Sequence, residues 1–215
     1  MIDQIVTIIG GSYVEPICTL LEKLENYDQP KVGPLGSGYY INGYSASICL
    51  LSIALLESYV MRVRYINEAS ENEINRMPVG KYLANLYEDF PMLDEVGELF
   101  VLRDTITHNH LWELYLDRNE EEIGLSEEIR KSTGDWKYSN YVDLDLKQTK
   151  KLQFTVVPIS IGRYEVITVL KNVWKVLIYL ENKDLSQCPV SAQHYKYKGQ
   201  MLNLGQIAEV VDRYI

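Results

Sequence analysis

Residues 103–110 read Arg-Asp-Thr-Ile-Thr-His-Asn-His and sit inside an otherwise apolar, helix-like stretch from Leu99 to Trp112. Two of the chain's three histidines, an arginine and a carboxylate are gathered there. Charged side chains seldom enter an apolar run unless they are paired. An arginine grips a phosphoryl group through its fork of N–H donors. A histidine moves protons near neutral pH. Together they are the minimum set for cutting RNA without a metal. The substrate's 2′-hydroxyl is then the nucleophile, and the protein has only to transfer protons and stabilise charge on the phosphorane.

On a straight helix at about 100° per residue, Asp104 and His108 are four apart and share a face, so the carboxylate can orient the imidazole. Arg103 and His110, seven apart, share another face. Arg103 and His108 are about 140° apart. They converge on one phosphate only from the rim of a groove, through a bent helix or with a second subunit. Which histidine is presented to substrate stays open. A metal site is not expected, because His108 and His110 diverge by about 200° on a helix and no cysteine or third histidine is near.

Arg-Asp followed by His five residues after the Arg resembles the Arg-x4–6-His signature of the HEPN superfamily (higher eukaryote and prokaryote nucleotide-binding domains). The setting is similar too: the motif comes late in a helical domain, after a long apolar helix, and is followed by an insertion and a closing helix. The resemblance covers residues 40–182. It implies a helical bundle that dimerises and places two motifs in one cleft, and a metal-independent endoribonuclease of toxin–antitoxin or phage-defence type. Arg103 and His108 would then be catalytic and Asp104 assisting. His110, at the looser spacing, is a second candidate for the acid–base role. The implied partners are RNA, a second copy of the chain and a neutralising protein such as an antitoxin; no cofactor is implied. Where some members carry Tyr two residues after the His, this chain has His110. The alternative is a noncatalytic HEPN-like interaction or nucleotide/RNA-binding module. In the plainest version Arg103 and Asp104 pair with neighbours such as Glu57, and the histidines are polar helix positions.

The elements that must position these residues are mainly helical, in one domain. Pro16 can open a helix over 16–27. Tyr39 to Asn67 carries the strongest helical period, through Tyr44, Ile48, Leu51, Leu55, Leu56, Tyr59, Val63 and Ile66. Its first half is apolar nearly all round, which marks a central helix. Glu57 lies deep within it and needs a partner, for which an arginine would serve. Arg62 and Arg64 fall where the helix is expected to emerge toward solvent. Pro78 can start a further helix, and the motif helix is expected from Leu93 to about Leu116.

Residues 117–151 read as a polar, partly irregular insertion or lid. Leu152 to Ile161 reads as an extended edge strand broken by Pro158. Gly162 precedes a second clear helix with a stripe from Val166 to Leu180. Residues 185–215 read as an appendage holding a small hairpin around Gly199 and a last short helix. The fold class expected is thus mainly α: a HEPN-like helical bundle over about 40–182, with a polar insertion and a small extended or β appendage near the C-terminus.

Composition narrows the partners. The net charge of -9 argues against a protein that coats nucleic acid, which needs a basic excess. A local patch remains compatible with touching a few phosphates. The lysines Lys147, Lys150 and Lys151 form a weak candidate for RNA contact, a solvated loop being the plainer reading. Lys196 and Lys198 alternate with His194, Tyr195 and Tyr197, a pattern open to an RNA-stacking strand, an edge strand protected by lysine being the plainer reading. Three widely separated cysteines suggest neither a disulfide framework nor metal ligation and fit a reducing cytoplasm. The segment Met1 to Gly11 is too short for a signal peptide or a span, and the apolar run Ile48 to Leu56 ends at Glu57, so no membrane association is expected.

Overall fold

A computed structural model describes residues 8–27, 37–108, 112–117, 122–128, 136–186 and 188–214, those of 112–117 and 122–128 by their backbone alone. Among them are eight helices and three separate two-stranded antiparallel sheets. The chain runs through α1 (Val14–Glu25), α2 (Tyr39–Ile66), α3 (Glu71–Asn75), α4 (Val79–Leu86) and α5 (Leu93–Thr107). There follow β1 (Trp112–Asp117), β2 (Glu122–Glu128), α6 (Trp136–Tyr141), β3 (Val142–Asp143) and β4 (Gln148–Thr149). The chain continues through α7 (Arg163–Lys183), β5 (Tyr195–Tyr197), β6 (Gln200–Leu202) and α8 (Leu204–Tyr214).

The frame is built on α2. Its 28 residues are long and apolar enough to cross a membrane, but half of that apolar window is buried within the protein. A helix that is apolar nearly all round has to be covered on more than one side, and α1, α5 and α7 cover it. Ile48, Cys49, Ile53, Leu55, Leu56, Val60 and Val63 have essentially no exposed surface. Leu21 and Leu24 of α1, Leu99 and Leu102 of α5, and Val169, Leu170 and Val173 of α7 complete one continuous core.

The motif helix is shorter than its expected 93–116. It stops at Thr107, with the His108 N–H donating to the Asp104 carbonyl at 2.9 Å as the last helical bond. Thr105, Ile106 and Thr107 are β-branched and weaken helix propagation. Residues 112–117 alternate apolar and polar at a period of two and form β1, paired antiparallel with β2. The expected insertion is therefore a hairpin followed by α6 and the short β3–β4 pair.

Residues 152–161 do not form the expected edge strand. Several of their backbone N–H groups are taken by side chains instead of a neighbouring strand. The Glu98 carboxylate accepts from Lys151 and Leu152 at 2.8 and 2.6 Å, Thr149 Oγ1 from Phe154, and Glu165 from Thr155. One isolated bridge, Gln148 to Thr155, is all the strand pairing there, and Pro158–Ser160 makes a 3-10 turn. Phe154, Val156, Val157 and Ile161 are nonetheless buried.

Residues 185–215 are no loose addition. Cys188, Val190, Tyr197, Leu204, Ile207, Ala208 and Val211 enter the main core. The β5–β6 turn has positive φ at Lys198 and Gly199, as a two-residue hairpin loop requires. Lys198 pairs with Glu25 at 2.7 Å and lies over the Tyr214 ring, so this lysine joins α1, β5 and α8. All three cysteines are free and buried.

The Glu98 clamp is the tie between α5 and the chain that leads into α7. Glu98 is 1% exposed. Removing an acceptor that serves two sheltered N–H groups leaves both unsatisfied. Glu98→Ala is expected to cost roughly 3 kcal/mol of stability, measured by urea denaturation, with helix content retained at low denaturant.

Candidate functional site

The C-terminal half of α5 presents Phe100, Arg103 and Asp104 toward α2 and α6. Asp104 is the centre. Its side chain is 11% exposed and faces three cationic or protonatable groups. Arg103 donates to Asp104 Oδ1 through Nε at 3.0 Å and Nη2 at 2.9 Å. Lys137 Nζ donates to Asp104 Oδ2. His108 Nε2 stands 3.8 Å from Oδ1, beyond a direct hydrogen bond. Burial pushes the Asp104 carboxyl up, but the hydrogen bonds from Lys137 and Arg103 and the charges of both outweigh it, and its pKa falls below the ordinary 3.8.

Arg103 is held on three sides. Beyond Asp104, its Nη1 lies 3.5 Å from Glu57 Oε1 on α2, which supplies the partner that Glu57 was expected to need. Its guanidinium also sits over the Phe100 ring, 4.7 Å from the centroid. The side chain is still 30% exposed. His108 is placed differently: at the C-cap of α5, its side chain is 68% exposed. His110 lies outside the described residues.

Lys137 is the member of the cluster that spacing alone misses. It comes 33 residues after Asp104, across the β1–β2 hairpin, and is brought back on α6. The contact that seats α6 is at Gly97, where an added Cβ would run into the Tyr141 ring. Val101, Tyr138, Val142 and Val156 form a small core beneath it. The signal available in the sequence was a lone lysine among Trp136, Tyr138 and Tyr141 in a polar stretch, together with a carboxylate too deep to be served by one arginine.

Beside Arg103 opens a groove of about 360 Å³ between the α3–α4 turn, α5 and α6. Its lining includes Arg64, Arg76, Lys81, Arg103 and Lys137, against the single carboxylate of Glu57. Arg64 does not emerge toward solvent as expected. It is 4% exposed and donates to the carbonyls of Ile74 at 3.1 Å and Met77 at 2.6 Å, with the Tyr82 ring 5.0 Å away. Among the described residues it forms no ion pair, and burial lowers its pKa.

The three candidate lysines of the insertion do not join this groove. Lys150 donates to the Asn140 carbonyl at 2.6 Å, and Lys151 pairs with Glu95 at 3.0 Å. Both border a separate depression with Asp94, Glu98, Asn140 and Tyr141. Lys147 takes a left-handed turn conformation and its carbonyl accepts from Val156. Among the described residues no group of three or more His, Cys, Asp or Glu side chains is placed to hold a metal ion.

A carboxyl whose pKa is depressed by folding stabilises the fold above its unfolded pKa, and that stabilisation disappears as pH falls through the lowered folded value. Asp104→Asn is therefore expected to cost roughly 2 kcal/mol at pH 7. The gap to the unmodified protein should close on acidification below about pH 4, followed by urea denaturation across pH. A gap that stays constant down to pH 2 would show that Asp104 acts by shape and not by charge. The arrangement has to be read from its own chemistry, because the chain matches no family model, no curated protein and no solved structure.

Proposed function

We propose that this chain is a metal-independent endoribonuclease of the kind found among HEPN proteins, acting in the cytoplasm as a homodimer in a toxin or phage-defence role under control of a neutralising partner. One observation carries the reading. On a protein of net charge -9, five cationic side chains gather around one groove, and two of them, Arg103 and Lys137, are bonded to Asp104, beside which His108 stands. An acidic surface repels polyanions at a distance, so a local concentration of cations marks where a phosphodiester would be held.

In this reading the substrate's 2′-oxygen attacks phosphorus and a new P–O2′ bond forms as the P–O5′ bond breaks. His108, exposed at the end of α5, takes the 2′-hydroxyl proton and delivers it to the departing 5′-oxygen. Arg103 and Lys137 meet the charge that builds on the non-bridging oxygens. Asp104 holds Arg103 and Lys137 in place and lies near enough for His108 to lean on it. The products are a 2′,3′-cyclic phosphate and a 5′-hydroxyl. Pairing with Glu57 and Asp104 keeps Arg103 extended along the groove wall, and an incoming phosphate competes with Glu57 for its Nη1.

A second reading, a noncatalytic helical module that binds RNA or a protein, has a specific observation in its favour. Two of the Arg103 nitrogens are already bonded to Asp104 and the third leans on Glu57, which is also how a structural arginine is satisfied. Cleavage of a generic single-stranded RNA in EDTA separates the two. The ribonuclease reading expects cyclic-phosphate ends and growth arrest on expression, with Arg103→Ala and His108→Ala each lowering cleavage at least a hundredfold while thermal stability changes little for His108→Ala. Full activity in both variants, or RNA binding with no cleavage by the unmodified protein, would overturn it.

A further inference from the structure

The groove is lined by two chemically different kinds of group. Arg76, Lys81, Arg103 and Lys137 supply positive charge around it, and Arg64 adds a buried cation behind. Trp136 and Tyr141 of α6 supply aromatic faces, their rings tilted and 6.4 Å apart, with Trp136 half exposed. A bare anion would use only the cations, and an apolar ligand only the rings. A nucleotide uses both: its phosphate meets the cations, and its base lies against an aromatic face whatever its identity. A volume of about 360 Å³ lies at the small end of the range for ligand pockets. It suits one nucleotide and not a stacked duplex.

We infer that this groove takes a single unstacked nucleotide of a single-stranded RNA, with the base against Trp136 and the phosphate between Arg103, Lys137 and Lys81. The substrate class follows: flexible single strands enter, and duplexes, whose bases are stacked away, do not. The polymer identity rests on the ribonuclease reading; the nucleoside-phosphate chemistry rests on the groove alone. Arg64 acts at a distance. Its guanidinium is fixed to the carbonyls of Ile74 and Met77, so its charge is a permanent part of the wall and costs no reorganisation when the phosphate arrives.

The test is a tryptophan-fluorescence titration of the full chain in EDTA, with Trp136→Phe identifying the part of the signal that belongs to the groove. The probes are 5′-AMP, adenosine, inorganic phosphate, a 2′-O-methyl oligoadenylate that cannot supply the attacking hydroxyl, and the same oligomer in a duplex. The expected result is quenching of Trp136 by AMP and by the single-stranded oligomer. Adenosine and phosphate should be at least tenfold weaker, and the duplex should give no quenching. Lys81→Ala and Arg76→Ala lie outside the proposed catalytic group. Each should weaken the oligomer and flatten its salt dependence by about 0.7 in log–log slope per lost phosphate contact. Equal binding of adenosine and AMP, quenching by the duplex, or an unchanged salt slope in both variants would overturn the inference. Binding of AMP without the oligomer would assign the groove to a free nucleotide and overturn its strand specificity. Binding without cleavage would defeat the ribonuclease reading and leave the inference standing, and cleavage without Trp136 quenching would do the reverse.

Discussion

The Asp104 carboxylate is the point on which the site depends. It sits at the end of a helix packed into the main core, largely out of water, and a lone carboxylate there would be costly. Two cations from different parts of the chain make it tolerable, Arg103 from the same helix and Lys137 from α6. Each is thereby fixed in direction. Arg103 is turned toward the groove and toward Glu57, while Lys137 carries Trp136 to the groove's far wall. One buried charge thus organises an arginine, a lysine and an aromatic face that no local rule of secondary structure would bring together.

The support behind it is unequal. On one side stands the continuous core around α2, where side chains from α1, α5, α7 and α8 interlock. On the other, α6 rests on α5 through a small satellite core and a ring-to-backbone approach that only Gly97 allows. The rigid half supplies Arg103, Asp104 and Glu57; the lightly held half supplies Lys137, Trp136 and Tyr141. Local stability follows the density of buried apolar contacts. The groove is accordingly a joint between a firm wall and a softer one.

Much of the firm half is legible in the sequence. A 28-residue apolar helix with no internal proline and the stripe from Val166 to Leu180 are strong periodic signals, and α2 and α7 appear at those places. The pairing of Glu57 with an arginine is legible as well, from a carboxylate set within an apolar helix, although its side chain is 43% exposed and not buried. Where the motif helix ends is not. The run Thr-Ile-Thr can close a helix or continue it, and tertiary context decides; β2 pairing with residues 112–117 takes the choice away from the helix. The straight-helix angles between Arg103 and His108 therefore count for less than the cap at His108, and the extended reading of 152–161 missed that glutamates and threonines would stand in for a strand partner. Lys137 was missed for a different reason: an ion pair across 33 residues leaves no periodic trace, only a lone lysine among aromatic residues.

That separation has a bearing on how the chain can change over generations. The hairpin begins and ends within the interval between His108 and Lys137, and the cluster needs only that the two ends return to Asp104. Closing a longer loop costs little, about 0.6 kcal/mol for each doubling. Insertions, deletions and new side chains in the hairpin leave the Asp104–Lys137 pair intact so long as Tyr141 still meets Gly97. The segment is free to diverge in length and recognition chemistry while the charged cluster stays where it is, which makes the hairpin the part of this protein that can be rewritten without rebuilding the site.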